Sequence, residues 1–232
     1  MRSAESYPAI VATSLDPAHF VNVSCYGAST RDMTKPQRTL LGTNAPQLGA
    51  LSKADTLVTV QIGGNDIGFT HIAVACGLLS VADRKGAPCE TFYTFGGTNR
   101  LSKAISAAAP KVAAVLREIR TRAPHARILV VGYPDILPTR GRGCWPSMPV
   151  ASGDVAFLRG VEISLNAMLA AQAARHGDGY VNTYSDSVGH DACQPPGVAW
   201  ISGLISSSQG VPYHPNALGE RAMASQVLAV LR

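Results

Sequence analysis

Charge is scarce in this chain. Only 15% of its 232 residues are Asp, Glu, Lys or Arg while 46% are hydrophobic, which excludes a disordered, self-solvating polymer. A long hydrophobic run is also lacking. The longest largely apolar stretch, residues 72–82, falls well short of the roughly 20 residues that a spanning helix needs, so no stable membrane insertion is expected. The opening Met1-Arg2-Ser3-Ala4-Glu5-Ser6-Tyr7-Pro8 has no apolar core of the signal-peptide kind. No basic run is interleaved with aromatics. Arg117, Arg120, Arg122, Arg127, Arg140 and Arg142 are dispersed, so the net charge of +5 reads as a solvated surface and no nucleic-acid partner is expected. No cysteine belongs to a CxxC pair, which disfavours zinc-ribbon and thioredoxin chemistry. His190, Asp191 and Cys193 lack both metal-ligand spacing and a second cluster, so no metal or cofactor is expected. Without a glycine-rich phosphate loop after a strand, a nucleotide-binding role is disfavoured. A Gly-x-Ser-x-Gly nucleophile elbow is missing as well.

What is present alternates between strand and helix patterns. Residues 20–26, 56–62, 126–132 and 179–184 read as strands bounded by Gly and Pro. Residues 8–15, 99–122, 154–175 and 216–231 read as helices. Leu101, Ile105, Val112, Val115, Leu116 and Ile119 form an apolar stripe on the second, and Phe157, Leu158, Val161, Leu165, Met168 and Leu169 one on the third. Asn216 is placed to cap the last helix, with Glu220 in its first turns. Continuous apolar strands separated by helices predict one α/β domain over residues 1–232, a three-layer α/β/α sandwich around a parallel sheet. The chain enters on a helix, whereas such folds usually begin with a strand.

The cysteines speak for an oxidising compartment, against the cytosol that the start of the chain would suggest. Cys76 and Cys89 flank a short polar stretch, and Cys144 and Cys193 lie in Gly/Pro-rich loops, which suits disulfides. Closing the first loop would contribute roughly 3 kcal/mol in the chain-entropy picture. Two such pairs leave Cys25 asking for a further partner.

In an open parallel sheet, ligands bind beyond the carboxyl ends of the strands. Three segments are expected there: residues 24–30, Gly63-Gly64-Asn65-Asp66, and residues 184–187. The turn at residues 211–215 precedes the last helix and can fold over the same edge. Acyl transfer needs a nucleophile, a base, and donors aimed at the developing oxyanion. The Gly27 N–H and the Asn65 side-chain amide are the candidate donors, and His214 is the candidate base, because imidazole titrates near neutral pH. A carboxylate three residues earlier would orient the imidazole, but position 211 is Val, so the Val211 carbonyl is expected to accept the Nδ1 proton.

These residues resemble the blocks of the SGNH, or GDSL, family of serine esterases and lipases, most nearly its secreted actinobacterial branch. Residues 23–30 are similar to the family's glycine block, residues 62–69 to its Gly-x-Asn-Asp block, residues 187–193 to the loop of its last disulfide, and residues 212–222 to its histidine block. The resemblance implies a flavodoxin-like parallel sheet and hydrolysis of a small-molecule or lipid ester through a serine acyl-enzyme. It also implies a secreted or cell-envelope protein, expected to be monomeric. The family's Gly-Asp-Ser block on the first strand has no counterpart ahead of Gly27, while Arg2-Ser3-Ala4-Glu5-Ser6-Tyr7-Pro8 resembles the segment that follows it. The resemblance thus places the nucleophile, the first strand and a cysteine that would pair with Cys25 upstream of Met1. Two serines inside the chain are rivals for the role: Ser187, in a Ser185-Asp186-Ser187 run that mimics Gly-Asp-Ser, and Ser24. The alternative function is a non-catalytic binding or scaffold protein built on the esterase fold. Acyl length, leaving alcohol and physiological substrate are not fixed by these motifs.

Overall fold

The computed structural model describes residues 3–40, 42–139, 143–205 and 210–232. Arg2, Arg140 and Arg142 lie outside the described residues. In chain order the elements are α1 (Tyr7–Leu15), β1 (Gln37–Thr39), β2 (Gly42–Asn44), β3 (Leu57–Val60), α2 (Phe69–Ala82), α3 (Pro88–Thr94), α4 (Arg100–Arg122), β4 (Arg127–Val131), α5 (Val155–Arg175), β5 (Gly179–Val181), α6 (Thr183–Ser187) and α7 (Ala217–Leu231). Strands β3, β4 and β5 pair in parallel in that order, with Val58 opposite Ile128 and Val131 opposite Val181.

The period-two alternation of β4 builds the layers. Ile128 and Val130 point into a core shared with Val112, Leu116 and Ile119 of α4 and Leu165 and Leu169 of α5. Leu129 and Val131 point the other way, onto Val11 of α1 and Met223, Ala224 and Val227 of α7. All four β4 side chains are buried, each contributing about 1.5–3 kcal/mol by leaving water. The result is the expected three-layer sandwich. The parallel ladder also explains why strand and helix alternate: each parallel crossover needs a long return path, and α4 and α5 supply it. Among the described residues, no helix is long and apolar enough to cross a membrane.

Helix ends follow side-chain chemistry. The Asn99 carboxamide accepts the N–H groups of Leu101 and Ser102, both at 3.0 Å, and Asn216 does the same for Leu218 and Gly219. Replacing Asn99 by alanine orphans two N–H groups and should cost about 1 kcal/mol, a fall in Tm of about 2–4 °C in a thermal melt. Glu220 is in the first turn of α7, where its carboxylate accepts the Tyr7 N–H at 2.6 Å and so fastens α1 to α7.

Two strand expectations need correction. Residues 20–26 form no strand. Valine-rich composition favours an extended chain but does not supply a ladder, and among the described residues β3 pairs only with β4, so nothing beside it carries a ladder to this segment. The strand expected over 179–184 stops at Val181, because the Asn182 side chain accepts the N–H groups of Tyr184 and Ser185 and starts α6. Both expected disulfides are present, Cys76–Cys89 joining α2 to α3 and Cys144–Cys193 joining two loops. Cys25 is in neither bond, and its Sγ lies 3.4 Å from the Val23 carbonyl oxygen.

Candidate active site

Strand β3 delivers residues 61–66 to the carboxyl edge of the sheet. Gly63 has a φ of +111°, which lets the chain leave the strand sharply. Gly64 donates its N–H to the Tyr133 hydroxyl at 3.0 Å, and a Cβ at position 64 would itself lie 3.0 Å from that oxygen. Only glycine keeps the hydrogen bond without pushing Tyr133 away. Burial pushes the Tyr133 hydroxyl up to about 12, with the Gly64 N–H opposing, so it stays neutral as an acceptor.

The next two residues clamp the glycine loop. The Asn65 amide donates to the Ala28 carbonyl at 2.9 Å. Asp66 accepts the Thr30 N–H at 2.9 Å and the Thr30 hydroxyl at 2.5 Å. An amide carries two hydrogens, so Asn65 is tethered by one and keeps the other for a ligand. Gly27 has a φ of +72°, at a turn closed by the Ala28 N–H on the Cys25 carbonyl. From the far side, the Gln37 amide donates to the Tyr26 carbonyl at 2.8 Å and accepts from Asn44 at 3.1 Å. The small β1–β2 hairpin thus holds Gly27 in place. Gly27 and Asn65 both line one cavity.

His214 lines the same cavity. Its turn runs Val211-Pro212-Tyr213-His214, closed by the His214 N–H on the Val211 carbonyl at 3.1 Å, with Tyr213 at a φ of +63°. Proline second and a positive φ third are the marks of a type II turn. This geometry corrects one expectation. The Val211 carbonyl closes the turn, and it is the Pro212 carbonyl that lies 2.9 Å from His214 Nδ1. A carbonyl only accepts, so Nδ1 holds the proton of the neutral ring and Nε2 carries the lone pair. The turn is pinned by Ser202, which receives the Tyr213 N–H at 2.7 Å and donates to the His214 carbonyl at 2.9 Å. Tyr26 sits over the imidazole with ring centroids 5.3 Å apart.

The cavity has a volume of about 230 Å³ and mostly apolar walls from α2, α5 and the loop after β4. Among the described residues, no serine lines it. Ser187 is buried in α6, accepting the Asp135 N–H and donating to the Tyr184 carbonyl, which is a structural engagement rather than that of a nucleophile. Ser24 lies in the loop after α1 and shares the Asn22 side-chain oxygen. Trp145 and Trp200 are not among the lining residues. Trp145 carries Arg84 over its ring, and Trp200 stacks on His190 with centroids 4.0 Å apart.

The sequence motifs name Gly27, Asn65 and His214 as candidates, which the fold brings to one cavity, but assign no role to Asp66, Gln37, Tyr133 or Glu162. Asp66 had a signal, its place beside Asn65 in one motif. The other three meet the site only through folding.

Comparison with known proteins gives the family. The model of the GDSL-like lipase/acylhydrolase family matches residues 1–222. Lipase 2 of Streptomyces coelicolor is 39% identical over 234 aligned positions, covering 100% of this chain and 77% of that protein. The crystal structure of phospholipase A1 from Streptomyces albidoflavus superposes with a TM-score of 0.79 at 28% identity, covering 99% of this chain and 87% of that one. The extracellular lipase of Streptomyces rimosus superposes with a TM-score of 0.75 at 27% identity, covering 100% of this chain and 88% of that one. With a family model spanning its β3 turn, its glycine loop and its histidine turn, the chain belongs to the GDSL-like lipase/acylhydrolase family of ester hydrolases.

Proposed function

We propose that residues 1–232 form one domain that supplies the base and the oxyanion site of a serine ester hydrolase, with the serine coming from a segment that precedes Met1. The observation that carries this reading is the tether between Asn65 and Ala28, which sets a half-used amide beside Gly27 in the cavity that His214 also lines.

The chemistry runs in two halves. Nε2 of His214 takes the serine proton as its oxygen attacks the ester carbonyl carbon, and the carbonyl oxygen becomes an oxyanion facing the Gly27 N–H and the Asn65 amide. The carbon–oxygen bond to the alcohol then breaks, the imidazolium returns its proton to the leaving oxygen, and water repeats the sequence on the acyl-enzyme. The apolar cavity suits the chain of a lipid or small ester, in keeping with the lipase and phospholipase names of similar proteins. Two disulfides and an extracellular relative support secretion of the protein.

Asn65→Ala tests the oxyanion assignment. Assayed on a p-nitrophenyl ester in the protein that carries its serine, it should lower kcat by about 10²–10³-fold with KM held within a few-fold. A loss confined to KM would remove Asn65 from the oxyanion site. One observation favours a second reading: no described serine lines the cavity, as in a binding protein without turnover.

A further inference from the structure

Helix α5 turns Leu158, Val161, Glu162 and Leu165 to the cavity, at spacings of three and four residues that share one helix face. Three of the four are apolar and one is a carboxylic acid. One oxygen of Glu162, Oε2, accepts the Ile136 N–H at 3.3 Å. The other, Oε1, is buried without a hydrogen-bond partner. The neighbouring cation is already engaged: Arg159 lies 3.4 Å from Asp135, which is fully buried, and donates to the Tyr184 hydroxyl at 2.7 Å. Asp135 and Glu162 thus confront a single guanidinium between them. Burial, with the Asp135 charge adding to it, pushes the Glu162 carboxyl well above the usual range, against the weaker pull of the Ile136 N–H and Arg159.

We infer that the Glu162 carboxyl forms a polar subsite in the apolar cavity, one that hydrogen-bonds a hydroxyl on the chain of the bound ester and so selects hydroxylated chains over plain alkyl ones. The inference rests on the reading that this cavity takes the ester's chain. A carboxylic acid that keeps its proton both donates and accepts, which matches a hydroxyl in both roles. The last torsion of glutamate is broad, so either oxygen can turn to the cavity. A plain alkyl chain would fill the same space and leave the carboxyl unmatched, and a buried polar group without a partner counts against binding.

Methyl ketones test this without turnover. A medium-chain methyl ketone and its isomers hydroxylated at each successive carbon are titrated calorimetrically into the wild-type chain, Glu162→Gln and Glu162→Met, with Tm measured for each. At least one hydroxylated isomer should bind the wild type about tenfold better than it binds Glu162→Met, while the plain ketone should bind Glu162→Met better than it binds the wild type. Glu162→Gln, which keeps a donor and an acceptor, should retain the hydroxyl preference. A wild type that prefers the plain ketone to every isomer overturns the subsite and leaves the hydrolase reading standing; that comparison needs no variant to fold. Failure of every ketone to bind the wild type overturns both the subsite and the assignment of the cavity to the ester chain.

Discussion

Purified as the 232 residues of this sequence, the protein will hydrolyse p-nitrophenyl butyrate on the order of 10⁴–10⁶-fold more slowly than the same chain preceded by an apolar strand ending in Gly-Asp-Ser. The slow residual rate is expected because a base and oxyanion donors still assist water. The large gain is expected because the extension adds the attacking oxygen. Among the described residues strand β3 is the sheet's edge, and its Leu57, Val58 and Thr59 are only half-buried, whereas Ile128, Leu129, Val130 and Val131 of the central β4 are buried. A strand beside β3 would bring its carboxyl end to the level of the Gly63-Gly64 turn. Replacing the added serine by alanine should return the rate to that of the 232 residues. Rapid hydrolysis by the 232-residue chain, lost in His214→Ala, would overturn the proposal and place the nucleophile within the sequence. Serine replacements would then locate it, Ser206, Ser207 and Ser208 among them, which lie outside the described residues.

The parts of the site that were legible in the sequence are those in which a local motif dictates local geometry. A buried strand followed by Gly-Gly-Asn-Asp reads as a turn at a sheet edge because glycine permits the φ that the turn needs, and the structure has it at Gly63. The asparagine cap of α7 is legible for the same reason, whereas the one at Asn99 on α4 came only with the structure. Legibility fails where partners come from afar. Residues 20–26 have strand composition, yet a strand exists only with a neighbour. Helix α2 showed only as an apolar run, because it lacks a polar face: Ile72 and Cys76 are buried while Val74, Leu78 and Val81, also apolar, are exposed. A carboxylate such as Glu162 ordinarily marks the solvated side of a helix, and nothing near it in sequence says that its face turns to a cavity. The Val211 expectation failed over one peptide unit. Spacing pointed to the 211–214 turn, but the positive φ at Tyr213 decides which of its carbonyls meets the imidazole.

That carbonyl shapes the second large effect. In the serine-bearing protein, His214→Ala should lower kcat/KM for p-nitrophenyl butyrate by about 10³–10⁶-fold, with KM within a few-fold of the wild type. The base is lost, while the walls that bind the chain are unchanged. The Pro212 carbonyl that holds Nδ1 orients the ring and carries no charge. A carboxylate in that place would stabilise the imidazolium formed in each half-reaction more strongly than a neutral carbonyl does. The prediction therefore separates two designs. A loss of that size with KM held fits an imidazole base oriented by backbone, whereas a His214→Ala variant that keeps kcat/KM within about tenfold of the wild type would assign the base to another group and return the 211–214 turn to a structural role.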